Sequence, residues 1–451
     1  YLSLDRAGST LSNGELQRVQ ISRAVRSDTT GVLYVLDEPS IGLHPYNVDG
    51  LMKIVRELVD RKNSVVLVDH DPRILMDADQ LIEIGPGAGK EGGRIVTQGT
   101  PLEAEKNPHS LIGPYLSGKE SLKVRSRATE KDMFENGSIR IKTKPFYTVK
   151  ALDVSIPKGR MIAVAGVSGS GKTSLVIECL VPALQAVIQG TKLPEHVDSI
   201  EAKGIQSVKV IDSKPIGANV RSTVATYDGV FDDLRKLFAR TADAKAKGLT
   251  AGDFSYNTGK LRCPVCDGTG IITMDVQFLP DVDTICPSCG GSRYGKDAYD
   301  ILWKSKEKDS VSVSLPGLLK LTVEEAAGIL HEETKIAKQL KILQDLGVCY
   351  LTLGEATPAL SGGEAQRLKL AYEMETPQQG SVFVFDEPTI GLHPQDVKKL
   401  VLIFDHLIQL GATVIVIEHD LELVTNCDYI IDMGPWGGTE GGRVVVEGTP
   451  E

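Results

Sequence analysis

Three groups of residues in this sequence have the types and spacings that chemistry needs. The first is GVSGSGKT, Gly166 to Thr173, which follows the apolar run MIAVAG and fits the pattern G-x-x-x-x-G-K-[ST]. Glycines Gly166, Gly169 and Gly171, with Ser168 and Ser170 between them, let the backbone turn so that successive N–H groups face a phosphate. Lys172 supplies charge to the terminal phosphate oxygens, and the Thr173 hydroxyl reaches a Mg²⁺ ion. The helix expected from Ser174 points its positive end at the same anion. The second group is a pair of acids after each of two apolar runs, Asp37–Glu38 after VLYVL and Asp386–Glu387 after VFVF. At the carboxyl edge of a sheet, the first acid would hold Mg²⁺ or its water and the second would orient or deprotonate an attacking water. One such pair is as well explained by helix capping; two at the same offset are not. His70 and His419 each end a further apolar run, and their repetition favours sensing of a terminal phosphate. The third group is Cys263-x₂-Cys266, nineteen residues, then Cys286-x₂-Cys289. That spacing suits a four-thiolate zinc site with no open position, hence a structural one. Cys179, Cys349 and Cys427 lie in apolar stretches and read as core residues.

The elements that must position these groups are legible from an internal repeat. YLSLDRAGSTLSNGELQRVQ from Tyr1 matches YLTLGEATPALSGGEAQRLK from Tyr350, and every later pair up to Pro101 keeps the same offset without a gap. One ancestral unit therefore occurs twice. Short β-rich apolar runs alternate with helical patterns such as VDGLMKIVRELVDR and VKKLVLIFDHLIQL. This predicts α/β architecture with a mostly parallel sheet, buried on both faces. The expected domains are residues 1–115, the later part of a first unit; 116–145, a basic linker; 146–185, the start of a second unit; 186–345, an insertion carrying the four cysteines; and 346–451, the rest of the second unit. Residues 119–150 carry nine Lys/Arg against four Asp/Glu, which is what makes the linker basic. Because residue 1 is Tyr, the chain is expected to be a piece of a longer protein.

Composition narrows the function classes. The 451 residues are 41% hydrophobic and 24% charged, as in ordinary globular proteins, and the net charge is −10. A polycationic surface is excluded, so any nucleic-acid contact must use local basic patches. No apolar run approaches a membrane-spanning length. Seven cysteines, with four of them clustered, suit a reducing and hence cytoplasmic compartment.

Together, the phosphate loop, LSGGEAQRLKLA from Leu360, DEPTIGLHP and the strand-end His resemble an ABC-type ATPase. DEPSIGLHP, the ending GTEGGRVVVEGTPE, IDSKPIGANVRSTVATYDGVFDDLRKLFA, the tandem copies and the cysteine module resemble, more narrowly, the UvrA family, the damage-sensing ATPases of bacterial nucleotide excision repair. The resemblance covers essentially the whole chain, as the C-terminal portion of such a protein. It implies tandem ABC-type domains of the P-loop NTPase class with a zinc-containing insertion. ATP with Mg²⁺ and a structural Zn²⁺ would be the cofactors. Double-stranded DNA, a UvrB-type protein and a second copy in a homodimer would be the partners. It also implies that the two copies complete each other's sites. Ser12, Asn13 and Gly14 would then serve the nucleotide held by Lys172 and Thr173, while Asp37, Glu38, His70, Ser361, Gly362 and Gly363 would be half of a second site. Duplex contacts are expected in residues 200–262, where eleven Lys/Arg face seven Asp/Glu, with Lys214 and Arg221 as the candidates. The sequence departs from the family pattern at Asn13 for glycine, at Ser213 for glutamine, and at Tyr147-Thr148-Val149-Lys150. The function implied is a DNA-binding ATPase, itself no nuclease, that recognises distorted duplex and loads the partner. Alternatives are a UvrA-like paralogue giving resistance to DNA-binding drugs, and, from other classes, a transporter ATPase subunit or a soluble tandem translation factor. The cysteine module and the long insertion disfavour the last two.

Overall fold

The computed structural model describes residues 7, 16, 19–23, 29–40, 43, 45–87, 92–118, 124–217, 219–274, 282–305, 311–374, 376–390 and 392–450. Two compact units share the chain, Tyr1–Ser213 with Pro377–Glu451, and Lys214–Thr376. The division between these units falls at 213/214 and 376/377. Residues 186–213 continue the phosphate-loop helix and then supply strands to the larger unit's sheets. Among the described residues no helix is long and apolar enough to cross a membrane.

In chain order, the larger unit opens with β1 (Leu33–Asp37), β2 (Ser64–Val68), β3 (Leu81–Gly85), β4 (Arg94–Gly99), β5 (Ser138–Thr143), β6 (Asp153–Pro157), β7 (Met161–Gly166), β8 (Val197–Glu201) and β9 (Ser207–Ile211). The smaller unit holds β10 (Ile271–Met274), β11 (Val282–Ile285), β12 (Leu302–Lys304) and β13 (Ser312–Ser314). The larger unit resumes with β14 (Ser381–Asp386), β15 (Thr413–Ile417), β16 (Tyr429–Gly434) and β17 (Arg443–Gly448). Its main sheet runs β17-β16-β7-β15-β14-β9. All neighbours pair in parallel except the antiparallel edge strand β17. The strands at its centre are apolar throughout because helices cover such sheets on both faces. Ile162, Val164, Val384, Ile415 and Ile417 accordingly share one core with Leu175 and Leu180 of the segment after the phosphate loop.

The repeat is as visible in backbone as in sequence. β1 pairs in parallel with β2 as β14 does with β15, and Leu33↔Ser64 sits where Val382↔Thr413 does. β3 and β4 form the antiparallel pair matching β16 and β17, down to an irregularity between Glu83 and Ile84 that recurs between Asp432 and Met433. The two long amphipathic helices, Pro45–Asp60 and Pro394–Gln409, fall at the predicted places. One difference separates the copies. β7 lies between β15 and β16, and no described strand lies between β2 and β3. Leu33 and Val35 are about two-thirds exposed, whereas Val382 and Val384 are fully buried in a core shared with Leu175 and Leu180.

The basic segment before β5 is built into the larger unit. The Arg125 Nε donates to Asp405 Oδ1 at 2.9 Å, and Nη1 donates to the Asn426 carbonyl at 3.0 Å and lies 3.0 Å from Asp428 Oδ1. In the first copy the same guanidinium position is filled from within, because Arg56 occupies the place of Asp405. Arg56 bonds Asp79 at 2.9 Å and the Asp77 carbonyl, the counterparts of Asp428 and the Asn426 carbonyl. Asp428 is fully buried and also accepts from the Ala128 and Met161 N–H groups. Removing one partner of such a buried pair strands the other charge, at a cost of about 3–5 kcal/mol. We expect Arg125→Met to lower stability by that order in chemical denaturation, and Arg127→Met, which removes a long, solvent-exposed bond to the Thr425 carbonyl, to change it by less than about 0.5 kcal/mol.

Candidate functional site

The sheet delivers the phosphate loop, the acid pair and the strand-end His to one edge because β7, β15 and β14 are parallel neighbours. β7 ends at Gly166, whose φ of 132° suits only glycine, and a Cβ there would come within 2.1 Å of the Met433 carbonyl oxygen. Gly169 and Gly171 are also left-handed. The loop is braced from outside by Gly438 and Gly442, whose N–H groups donate to the Gly169 and Ser170 carbonyls at 3.0 and 2.9 Å. The Ser170 hydroxyl is buried and has no partner among the described residues. Lys172 is only 6% exposed and donates to the Gly166 and Val167 carbonyls at 2.8 and 3.0 Å. Burial pulls its pKa down to about 8, against the nearby charges of Glu387 and Asp386. A cation held this dry, beside a buried hydroxyl and left-handed glycines, suits a phosphate group. Thr173 opens the next segment with no capping bond from its side chain.

That segment, Ser174–Leu180, is wound as a π-helix, and Val181 N–H reaches back to the Val176 carbonyl. Pro182 has no N–H to offer the Glu178 carbonyl, and a ring nitrogen of His196 lies 2.8 Å from that oxygen instead.

Asp386 ends β14, and Glu387 follows with a left-handed φ of 48°; Asp37 and Glu38 repeat this with 46°. A glutamate in that region is strained, and it persists because each N–H is fixed by the neighbouring strand, Glu387 to the Ile417 carbonyl and Glu38 to that of Val68. Each glutamate meets its strand-end His: His419 Nε2 lies 3.5 Å from Glu387 Oε1, and His70 Nδ1 lies 4.0 Å from Glu38 Oε1. Burial raises the Glu38 pKa, with His70 opposing. Lys172, Asp386, Glu387 and His419 are thus gathered in the second copy, and Asp37, Glu38 and His70 in the first. Ser12, Asn13 and Gly14 lie outside the described residues.

Ser361, Gly362 and Gly363 belong to the smaller unit. The Ser361 hydroxyl accepts from the Glu364 N–H at 3.3 Å, and the Glu364 carboxylate accepts from the Ser361 N–H at 2.7 Å. Ser361 and Glu364 therefore form a capping box at the start of the helix Gly362–Met374.

Two residues of the larger unit escaped the sequence reading. Glu418, just before His419, is 3% exposed and accepts four hydrogen bonds. Two come from the Thr389 N–H and hydroxyl at 3.3 and 2.8 Å, and two from the His419 and Asp420 N–H groups at 2.7 and 3.1 Å. Asp69 does the same in the first copy for Ser40, His70 and Asp71. The repeat held the signal, an acid before the His in both VVLVDHD and VIVIEHD. A cavity of about 310 Å³ is lined from the first copy by His70, Asp71 and Arg73 and from the second by Glu387, His419 and Glu422. Burial pushes Glu422 up to about 7, with Asp420 adding to the shift and Lys398 opposing it.

In the smaller unit the four sulfurs of Cys263, Cys266, Cys286 and Cys289 lie within 4.8 Å of one another, and those of Cys266 and Cys289 are 3.7 Å apart. A tetrahedron with Zn–S near 2.3 Å has edges of about 3.8 Å, so the thiols fit such an ion. Left-handed Asp267, Gly268, Gly290 and Gly291 turn the two knuckles, and the Gly270 N–H donates to the Cys266 sulfur at 3.3 Å. Cys179 and Cys427 are buried elsewhere, while Cys349 is half-buried. Lys214 is exposed, and its carbonyl accepts from Lys369. Arg221 is held by the Asp267 carbonyl at 2.9 Å and carboxylate at 3.3 Å, and Arg262 pairs with the same carboxylate. Arg221 also lines an open cleft of about 490 Å³ with Asn219, Asn257, Tyr227 and Tyr372.

No protein-family model matches the chain. It is 44% identical to the UvrABC system protein A of Aquifex aeolicus over 455 residues, and 44% identical to that of Staphylococcus aureus strain COL over 457 residues. Each alignment takes in all of this chain and 48% and 47% of the relative, so the chain spans about half the length of the curated relatives it matches. The crystal structure of UvrA2 from Deinococcus radiodurans superposes with a TM-score of 0.91 at 39% identity, over all of this chain and 53% of that one.

Proposed function

Because the chain belongs to the UvrA family, we propose that it is the portion of an ABC-type ATPase that couples ATP state to recognition of damaged or distorted duplex DNA and to loading of a UvrB-type partner. The observation that carries the ATPase reading is the convergence of Lys172, Asp386, Glu387 and His419 at one sheet edge, beneath a loop whose glycines and buried Ser170 suit phosphate. In this reading Gly166 to Ser174 cradle the nucleotide, and Thr173 and Asp386 would hold a Mg²⁺ ion, which would screen phosphate charge. Glu387 orients the attacking water and accepts its proton, while His419 donates to the terminal phosphate. The resemblance to the family would add Ser12, Asn13 and Gly14 to that site. Asp37, Glu38 and His70 contribute to a second site. Steady-state ATP hydrolysis by the full-length protein tests the reading, and absence of hydrolysis overturns it.

For DNA, we assign the smaller unit. Its fit to DNA rests on the cleft beside the cysteine knuckles, where amides, two tyrosines and Arg221 line one opening. In the same unit Arg235 is paired with Asp232 and Lys236 with Asp233. We expect duplex affinity to fall roughly ten-fold or more between 50 and 200 mM salt. Fluorescence anisotropy with a labelled duplex measures this, and a flat profile contradicts phosphate-led binding. Arg221→Glu should weaken binding across all sequences alike.

A further inference from the structure

Glu418 and Asp69 are the acids that immediately precede the strand-end histidines, and the ATPase reading gives them no part. Their geometry is the same in the two copies despite different side chains. In each, one carboxylate bonds the N–H and hydroxyl of the residue three after the strand-end Asp, Thr389 or Ser40, and also the next two backbone N–H groups after itself. Thr389 stands two residues after Glu387, and His419 follows Glu418 directly. The carboxylate therefore joins the two loops at the points nearest the Glu387–His419 pair.

We propose that Glu418 and Asp69 are positioning residues: each ties the loop after the acid pair to the loop bearing the strand-end His, and so sets the separation between Glu and His at its own site. The proposal rests on the ATPase reading of the site. The joint is costly to build, which argues that it has a use. Among the described residues this buried carboxylate forms no ion pair; it faces Glu387 across the joint, Asp420 beside it and Lys172 from the phosphate loop, with Asp71 and Arg73 of the first copy facing Asp420. Burial, reinforced by Asp420, pushes Glu418 up to about 8 despite the N–H bonds it accepts. An apolar residue would pack the same place without that penalty, but it would leave the Thr389 and His419 loops unconnected. The separation it fixes matters because a displacement of about 1 Å at a reacting group costs up to roughly 100-fold in rate.

The test uses the full-length protein with Glu418→Ala, Glu418→Gln and Thr389→Val, read by steady-state ATP kinetics and by hydrogen exchange. Glu418→Ala is expected to lower kcat roughly ten- to hundred-fold, with KM for ATP within about three-fold of wild type. Glu418→Gln keeps the reach and can bond both loops, so it should restore most of that loss. Adding Thr389→Val to Glu418→Ala should cost little more, because both changes cut one joint. Exchange should accelerate together in the loops around residues 387–392 and 418–421. An unchanged kcat in Glu418→Ala, or losses of kcat and KM in step with no rescue by Gln, would overturn the proposal. If wild type hydrolyses no ATP, the site reading falls, and exchange decides the joint by itself: faster exchange in both loops supports it, and faster exchange in the 418–421 loop alone overturns it.

Discussion

Glu387→Gln, made together with Glu38→Gln to silence the other copy, is expected to leave ATP binding within about three-fold of wild type and to lower turnover roughly 10²- to 10⁴-fold. The binding half follows from where the affinity sits. Lys172, the left-handed glycines and the buried Ser170 lie on the loop between β7 and its helix, and none depends on the Glu387 charge for its shape. The turnover half follows from placement. Glu387 is half-buried, its backbone is held left-handed by the Ile417 carbonyl, and its carboxylate lies 3.5 Å from His419. A strained backbone that re-aims one side chain is what a group presented to a reacting atom needs. Gln has the same size but cannot take a proton, so the loss isolates proton acceptance and water orientation from packing. Nucleotide binding by fluorescence titration and single-turnover hydrolysis separate the two halves. Full single-turnover activity in the double variant would remove Glu387 from the chemistry, and loss of ATP binding would reassign it to the binding surface.

Much of this site was readable in the sequence because its parts are local or repeated. A phosphate loop is a contiguous string, and its backbone geometry is dictated by its own glycines. The acid pairs and histidines were visible because two copies placed them at one offset, and the register of β1 with β2 and of β14 with β15 preserves that offset in space. The cysteine pairs were visible because two knuckles must each present two sulfurs. What stayed hidden depended on packing between distant segments. Arg125 read as one more charge in a basic linker, yet it fills the guanidinium place that Arg56 fills in the other copy; only the substitution of Asp405 for Arg56 hinted at a donor from elsewhere. Likewise Arg221 read as a free cation for phosphate, whereas Asp267 of the cysteine knuckle engages it, a contact across 46 residues that no periodicity encodes. Glu418 was missed for a different reason. It sits beside a more conspicuous His, and an acid at a strand end ordinarily reads as solvent-facing.

Cys286→Ser is expected to take the bound zinc from about one ion per chain to nearly none and to unfold the knuckles of the smaller unit while ATP binding at Lys172 persists. In small zinc modules the metal contributes on the order of 10 kcal/mol to folding, because four thiolates replace an apolar core. The knuckles here have little core of their own: among the described residues, Ile272 is the one apolar side chain packed with the three buried cysteines and Cys289. Their influence also reaches beyond themselves. The Arg293 Nη1 donates to the Val220 carbonyl at 2.8 Å, and the Asp267 carbonyl accepts from Arg221 at 2.9 Å, so residues on both knuckles grip the segment that lines the cleft. Further ties come from the Tyr256 hydroxyl, which donates to the Arg221 carbonyl at 3.0 Å, from the Asn257 side-chain oxygen, which accepts from Arg221 Nη1 at 3.5 Å, and from the Thr357 N–H, which donates to the Ser222 carbonyl at 3.0 Å. Loss of the metal should therefore release Arg221 and Asn219 and weaken duplex binding roughly ten-fold or more, the order expected when two anchored phosphate or base contacts are lost. Cys427→Ser, in the other unit's core, should keep the full metal content. Metal analysis, hydrogen exchange of residues 219–223 and duplex affinity read the three effects separately. Zinc retained at full stoichiometry in Cys286→Ser would dismiss the four-thiolate site. Zinc lost with exchange at 219–223 unchanged would confine the metal's role to the knuckles and leave the cleft to be held by its ties to Tyr256, Asn257 and Thr357.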